Sequence, residues 1–169
     1  MGRDIGVLIR DRKTKKILVD SFKDYDDFVC GRDDATNYIS MMCDHPADSR
    51  EGDEDLMDEL YAVPDYCDIS EEGKFSEIKQ ELQKYLAKEK RETQKVKDEL
   101  EDLREARRHA PNYDAFCSFG TALTYLYDEL EETDYSRAGH LIDLLDTMQD
   151  RFDRLKGNDD VELLIYCSE

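Results

Sequence analysis

The sequence lacks any apolar run of the length that crosses a membrane, which takes about 20 residues. Its first residues, Met1 to Asp4, lead directly into a β-branched stretch and lack the pattern of a secretory signal. The five cysteines are odd in number and widely spaced, which is not the pattern of a disulfide framework. We therefore expect a cytoplasmic protein with free thiols and without a membrane partner.

The sequence also lacks the short motifs of common enzyme classes. It has no P-loop, no G-x-G-x-x-G turn, no nucleophile elbow and no Ser-His-Asp order. The closest Cys/His pair is Cys43 and His45, and zinc needs four ligands, usually in tight pairs. Cys30 and Cys67 lie too far along the chain to complete a typical set. We predict no metal, no cofactor and no catalytic residue, although an enzyme with a scattered Cys/His or carboxylate site stays an alternative.

Positive charge is scarce: 24 Lys and Arg face 43 Asp and Glu, for a net charge of −19. The imbalance is concentrated in residues 24–73, where two basic residues face 17 acidic ones. Residues 109–169 contain four basic and 14 acidic residues, whereas residues 74–108 contain 11 basic and nine acidic residues. Because phosphates repel such a chain, we expect no direct binding of nucleic acid. A basic protein surface is the partner that this charge suits.

A long helix is predicted over Phe75–Arg108, a stretch without Gly or Pro and rich in helix formers. Ser70 is the predicted N-cap and Pro111 ends the run. Its seam alternates steps of four and three residues, which is typical of a helix packed on other helices. The seam residues are Leu82, Leu86, Glu89, Thr93, Val96, Leu100 and Leu103. Because the middle pair is polar, we expect packed ends and a wetter middle.

Two further amphipathic helices are predicted after the long one, over about Tyr113–Glu132 and from Ala138 to Leu155. The short links between the three helices favour antiparallel neighbours. We expect these helices to form an intramolecular bundle with the long one. A homodimer through the part of the seam left uncovered is the alternative.

Strands are predicted at both ends of the sequence. Ile5–Asp11 and Lys16–Phe22 have the composition of a hairpin, and Val161–Cys167 that of a third strand. Because a lone strand leaves backbone groups unpaired, the last strand should pair with the hairpin. Asp24–Arg32 has the composition of a loop. Four more features complete the prediction: Asp33 or Asp34 as a cap, a helix over Asp33–Met42, an exposed loop over Asp44–Asp55, and a short helix from Leu56 that ends at Pro64.

The predicted fold class is α+β: a small antiparallel sheet, made of the N-terminal hairpin and the C-terminal strand, with a helical bundle built on one long helix. We expect residues 1–169 to form a single domain. Within it, residues 1–73 and 158–169 would form the sheet and a small acidic helical layer. Residues 74–157 would form a projecting helical bundle or coiled-coil hairpin.

Several short motifs resemble a family of small uncharacterised bacteriophage proteins. They are Met1-Gly2-Arg3-Asp4-Ile5, Gly31-Arg32-Asp33, Val63-Pro64-Asp65 with Ile69-Ser70-Glu71-Glu72, and the strand that follows Asp159-Asp160-Val161. Family members begin Met-Gly-Cys-Asp-Ile-His and end on a strand that carries an aromatic residue and an acid. Here Arg3 and Gly6 stand at the Cys and His positions. The resemblance covers about the first 70 and the last ten residues. It implies a phage or prophage origin and the host cytoplasm, and no known activity.

The acidic tract, residues 24–73, is the candidate functional feature. Carboxylates on a rigid scaffold can imitate phosphates and occupy a basic nucleic-acid-binding groove, and aromatic residues can anchor such an interface. We therefore predict an acidic, non-enzymatic protein-binding module, in its most concrete form a phage-type inhibitor of a host protein. The expected partner face consists of Asp53, Glu54, Asp55, Asp58, Glu59, Tyr61 and Tyr66. The alternatives are a solvated acidic loop without a partner and a coiled-coil dimer with a structural or assembly role.

Overall fold

The computed structural model describes residues 3–43 and 65–168. It contains a five-stranded antiparallel sheet and five helices among those residues, one of them long, and the fold class is α+β as predicted. None of the helices in these two ranges is both long enough and apolar enough to cross a membrane. The predicted loop Asp44–Asp55 and the predicted short helix from Leu56 to Pro64 lie outside the described residues.

The N-terminal hairpin is confirmed, with β1 over Arg3–Asp11 and β2 over Ile17–Asp20. In its turn the Asp11 carboxylate accepts hydrogen bonds from the backbone N–H groups of Lys13 and Thr14. The predicted second strand is wrong at its end, because Ser21–Tyr25 form a short helix, α1. Asp20 caps this helix by accepting from the backbone N–H groups of Phe22 and Lys23, which draws the chain out of the sheet.

Two strands were not predicted. Val29–Gly31 form β3, which pairs antiparallel with the first residues of β1, so the interpretation of Asp24–Arg32 as a loop was wrong. Asp65–Asp68 form β4, which pairs antiparallel with the last strand. Each is at most four residues long, and β4 begins and ends with Asp, so neither shows the alternation that marks a strand in a sequence.

The last strand, β5 over Val161–Ser168, pairs with β1 along eight residues, so the predicted meeting of the two ends is confirmed. The order across the sheet is β2-β1-β5-β4, and β3 pairs with β1 beyond β2. Ile5–Ile9 of β1 and Val161–Cys167 of β5 are buried throughout. Because both central strands are buried on both faces, they form near-continuous apolar runs.

The helix α2 spans Asp34–Met42, and Asp33 is its N-cap, accepting from the backbone N–H of Thr36. This confirms the predicted helix. The long helix, α3, spans Lys74–Arg108. Ser70 is not its N-cap: the hydroxyl accepts from the backbone N–H of Leu163 at 2.8 Å and donates to Asp68 at 2.6 Å, so Ser70 attaches the chain to β5.

Two helices follow α3 in the chain, α4 over Tyr113–Asp134 and α5 over Arg137–Leu155. Asn112 caps α4 by accepting from the backbone N–H of Ala115 at 2.8 Å. The predicted bounds of both helices agree with the structure to within two residues, the usual uncertainty of helix ends. The link between them is shorter than predicted, because α4 continues through Asp134.

The chain divides into two compact units: residues 1–83 with 137–169, and residues 84–136. In the first unit, which we call the sheet unit, α5 packs on β1, β3, β5 and α2. Its buried apolar residues are Ala138, Leu141, Ile142, Leu144, Leu145, Met148 and Phe152. We had expected α5 in a bundle with the other two long helices, and these boundaries differ from the predicted 74–157. The prediction of a single domain stays a prediction.

The second unit, the helical hairpin, contains residues 84–108 of α3 and all of α4. Val96, Leu100 and Leu123 are its buried core. The two polar seam residues bind the last turn of α4 and the link that follows it. Thr93 donates to the Thr133 carbonyl at 3.0 Å, and Glu89 accepts from the hydroxyl of Ser136, beyond the helix, at 2.6 Å. The seam is polar at this point because it contacts hydrogen-bonding groups at a helix end.

Candidate functional site

Most of the predicted partner face lies outside the described residues. Those residues are Asp53, Glu54, Asp55, Asp58, Glu59 and Tyr61. The seventh, Tyr66, lies on β4, where it is half-buried. Its ring contacts that of Tyr166 edge-on, with 6.3 Å between centroids, and the Arg10 guanidinium carbon lies 5.3 Å from its centroid. Burial raises the pKa of Tyr66. Tyr66 is therefore a packing residue of the sheet as well as a partly exposed one.

Four of the described acids of residues 24–73 form contacts within the sheet unit. Asp33 caps α2 and lies 3.3 Å from Arg137, and Asp27 contacts the His140 ring at 2.7 Å. Asp24 accepts from the backbone N–H of Asp20, and Asp68 accepts from the backbone N–H of Ser70. These four carboxylates stabilise the sheet unit. Acids are most frequent in residues 51–59 of the tract, and these residues lie outside the described ones.

Among the described residues, the candidate zinc ligands Cys30, Cys43 and Cys67 do not form a metal site. Cys30 is exposed, Cys43 and Cys67 are buried, and His45 lies outside the described residues. Burial raises the pKa of the Cys67 thiol, which favours the neutral form over the thiolate that binds metal. Within residues 3–43 and 65–168 no three His, Cys, Asp or Glu side chains are grouped as a metal site. The absence of zinc stays a prediction.

The buried carboxylate of Glu162 on β5 lies at the centre of an ion cluster with Arg10 of β1 and Lys15 of the hairpin turn. The Glu162 side chain is 6% exposed, and its Oε1 accepts from Arg10 Nε at 2.5 Å and from Lys15 Nζ at 3.0 Å. Burial raises the pKa of Glu162, but the hydrogen bonds and charges of Arg10 and Lys15 outweigh burial and hold it below its ordinary value. Because the carboxylate stays charged and paired, it stabilises the junction of these strands.

Tyr166 forms a second buried polar contact on β5. Its hydroxyl donates to Asp20 Oδ1 at 2.8 Å, and both residues are less than 10% exposed. Burial, followed by the hydrogen bond to Asp20, raises the pKa of Tyr166 far above its ordinary value. The ring lies over Gly6, its cross-strand neighbour: a Cβ at Gly6 would lie 2.4 Å from Tyr166 Cζ. A side chain at residue 6 would displace this ring.

A cleft between α3 and α4 lies in the helical hairpin, and the sequence analysis did not predict it. We call it the arginine cleft. Its volume is about 460 Å³. Its lining residues are Arg104, Arg107 and Arg108 from α3, and Phe116, Gly120, Leu123, Thr124 and Tyr127 from α4.

The two cleft aromatics hold two of the arginines. The Arg107 guanidinium carbon lies 4.0 Å from the centroid of the Phe116 ring, and that of Arg104 lies 5.3 Å from the Tyr127 ring. Arg104 Nε also donates to the Tyr127 hydroxyl at 3.0 Å. Such stacking restricts the guanidinium planes while leaving N–H groups at their edges. The signal in the sequence was the spacing of the arginines at i, i+3 and i+4, which places them on one helix face.

Comparison of the chain with protein-family models, with curated proteins and with solved structures finds no match. The resemblance to phage proteins stays a prediction. Gly6, one of the two positions at which this sequence differs from the opening motif of that family, has a structural role here, because it lies opposite Tyr166 on β5.

Proposed function

We propose that this chain is an acidic, non-enzymatic protein-binding module that occupies a basic surface of its partner. In its most concrete form it is a phage-type inhibitor that imitates nucleic acid and blocks a nucleic-acid-binding surface of a host protein. The proposed partner face keeps five acids from residues 51–59 together with two tyrosines: Asp53, Glu54, Asp55, Asp58, Glu59, Tyr61 and Tyr66.

The supporting observation is the internal use of the cations. Six basic side chains among the described residues of the sheet unit pair with acids of the same unit. Exposed acids of that unit, such as Asp143 and Asp150, face solvent. The pairs are Arg10 and Lys15 with Glu162, Arg12 with Asp160, Lys79 with Asp146, Arg137 with Asp33, and Lys156 with Asp153. The acid excess behind the net charge of −19 is thus left for a basic partner.

The test is charge reversal with a matched control. In the first variant Asp53, Glu54, Asp55, Asp58 and Glu59 become Lys. In the control an equal number of exposed acids elsewhere become Lys: Asp128, Glu131, Glu132, Asp143 and Asp150. Partners are captured from a host lysate at low salt, identified, and then bound to each variant by surface plasmon resonance.

We expect the first variant to bind roughly tenfold or more slowly, because electrostatic steering acts chiefly on the association rate. The control should keep most of the wild-type rate, and raising the salt concentration should weaken wild-type binding. Equal losses in both variants would show that only total charge matters. An unchanged rate in the first variant, with folding intact by circular dichroism, would refute the proposed face.

The coiled-coil alternative has less support from the hairpin. Val96 and Leu100 of the predicted seam pack on Leu123 of the same chain, and Thr93 and Glu89 bond to the end of α4. These four residues are therefore occupied within one protomer. Sedimentation equilibrium tests the alternative directly: a stable dimer would move support from the acidic face to association of the chain with itself.

A further inference from the structure

We propose that the arginine cleft binds a phosphate monoester that carries an apolar or aromatic group. This site is separate from the acidic face and does not depend on it. Three arginines converge there in a chain that has only 24 basic residues against 43 acidic ones. The concentration of guanidinium groups in one cleft of an acidic protein is the first argument for an anionic ligand.

The second argument is an unused donor. The Arg107 Nε atom is buried, and among the described residues it has no hydrogen-bond partner. A buried N–H without an acceptor is destabilising, more so when the group is charged, so native structures rarely retain one. Arg107 lines the cleft, so a bound anion that draws its guanidinium outward would supply the missing acceptor.

The third argument is pre-organisation. Phe116 lies against the Arg107 guanidinium, and Tyr127 accepts from Arg104. Gly120 completes the arrangement: a Cβ there would lie 3.2 Å from Arg107 Nη2, so the missing side chain leaves space for the guanidinium. Groups that are fixed before binding lose little conformational entropy on binding, which favours affinity.

The geometry favours a phosphoryl group over a carboxylate. One guanidinium fork satisfies a planar carboxylate, whereas a tetrahedral dianion can accept from several guanidinium groups in different planes. The nearby acids leave positive charge in excess. Glu105 pairs with Arg108 at 3.0 Å and Glu101 lies 3.5 Å from Arg104, while Arg107 forms no ion pair with an acid of the described residues. Two carboxylates thus face three guanidinium groups.

The rest of the lining indicates the size and polarity of the ligand. Leu123 and the Phe116 ring give the cleft apolar walls, and about 460 Å³ is within the range of small-molecule sites. A polyanionic nucleic acid would meet repulsion from the net charge of −19, whereas a single phosphate contacts the cleft alone. The ligand is therefore a small phosphate monoester or a single phosphorylated side chain.

The test uses the full chain and isothermal titration calorimetry in phosphate-free buffer, with phenyl phosphate as the probe. We expect wild-type protein to bind it and Arg107→Gln to lose about tenfold or more in affinity, because a lost charge-assisted hydrogen bond commonly exceeds the free energy of a tenfold change. The matched control is Arg91→Gln, an exposed arginine of the same helix outside the cleft, which should bind as wild type does.

A second variant guards against a folding artefact. Gly120→Ala keeps every charge but places a Cβ against Arg107, so it should weaken binding while circular dichroism remains unchanged. A phosphotyrosyl peptide that binds more tightly than phenyl phosphate would identify a phosphoprotein as the source of the ligand, and equal affinities would identify a free small molecule. Absence of binding by phenyl phosphate overturns the proposal. The proposal is also overturned if Arg107→Gln binds phenyl phosphate as tightly as wild type does. The same holds if wild type binds benzoate as tightly as phenyl phosphate, or prefers a single-stranded oligonucleotide.

Discussion

The buried carboxylate of Glu162 should be one of the largest single electrostatic contributions to the stability of the sheet unit. The perturbation that isolates it is Glu162→Gln, which keeps the shape of the side chain and removes its charge. Arg10 and Lys15 then lose the carboxylate that each contacts across the strands. The partner substitution is Arg10→Met, which keeps much of the packing volume of the arginine stem and removes the guanidinium.

The expected loss in Glu162→Gln is about 1.5–3 kcal/mol, the range for hydrogen bonds to charged groups. The contact with Arg10 accounts for most of this loss, because the Arg10 side chain is only 22% exposed. The Lys15 side chain is 55% exposed, so water screens its contact with Glu162. In a double-mutant cycle Glu162 and Arg10 should show a coupling energy of about 1 kcal/mol or more.

The assay is urea unfolding followed by circular dichroism, with hydrogen exchange of the β5 amides to assign the effect to the sheet unit. The pKa of Glu162 is lowered in the folded state, so its contribution is complete above the ordinary glutamate value of 4.5 and is lost as the pH falls through the lowered value. The difference between wild type and Glu162→Gln should therefore be full at pH 7 and should shrink below pH 4.5.

The control is Glu105→Gln on α3. Glu105 also contacts two basic side chains, Arg108 at 3.0 Å and the ring of His109 at 2.9 Å, but its own side chain is 56% exposed, so its loss should leave the urea midpoint near that of wild type. A coupling energy near zero between Glu162 and Arg10, or a stability difference that persists unchanged at acid pH, would refute the assignment of the effect to this ion pair.

Three further predictions concern single residues. Gly6→Ala should destabilise the protein by about 1–3 kcal/mol in urea unfolding, because the new Cβ overlaps the Tyr166 ring. Gly157→Ala, where a Cβ would meet no atom within 4 Å, is its control. Asn112→Ala should lower the free energy of unfolding by about 1 kcal/mol in the same assay, because the α4 cap is lost. Asn112→Asp should keep most of the stability that the cap provides. In an ultraviolet titration, Tyr166 should stay protonated at about pH 10, where an unperturbed tyrosine ionises, and comparison with Tyr166→Phe identifies its signal.

The elements that could be predicted have a signal within their own residues. The hairpin and β5 have β-branched runs, and α2, α3 and α4 have periodic apolar positions bounded by caps or proline. The placement of α5 could not be predicted from its apolar stripe, because such a stripe shows only that one face is covered. The same pattern suits a helix that packs on a sheet and one that packs in a bundle.

Of the two candidate sites, one could be found from the sequence and the other only from the fold. The acidic tract was visible because net charge is additive along the sequence. The arginine cleft was hidden because residues 74–108 hold nearly as many acids as bases, and the count conceals that Arg104, Arg107 and Arg108 share a face. The contacts of Phe116 and Tyr127 come from α4, a different helix, and only the folded hairpin brings them to the arginines.

The pairing of β1 with β5 has a consequence for biosynthesis. The ion pair of Arg10 and Glu162 joins residues that are 152 positions apart in the sequence. The hairpin of residues 84–136 is one contiguous segment of the chain and can form while the ribosome is still translating. The edge of β1 that will receive β5 must wait, with its backbone donors and acceptors open, until residues 161–168 have emerged. During that interval nascent chains are exposed to aggregation through this edge, and a chaperone that covers an extended strand would protect them.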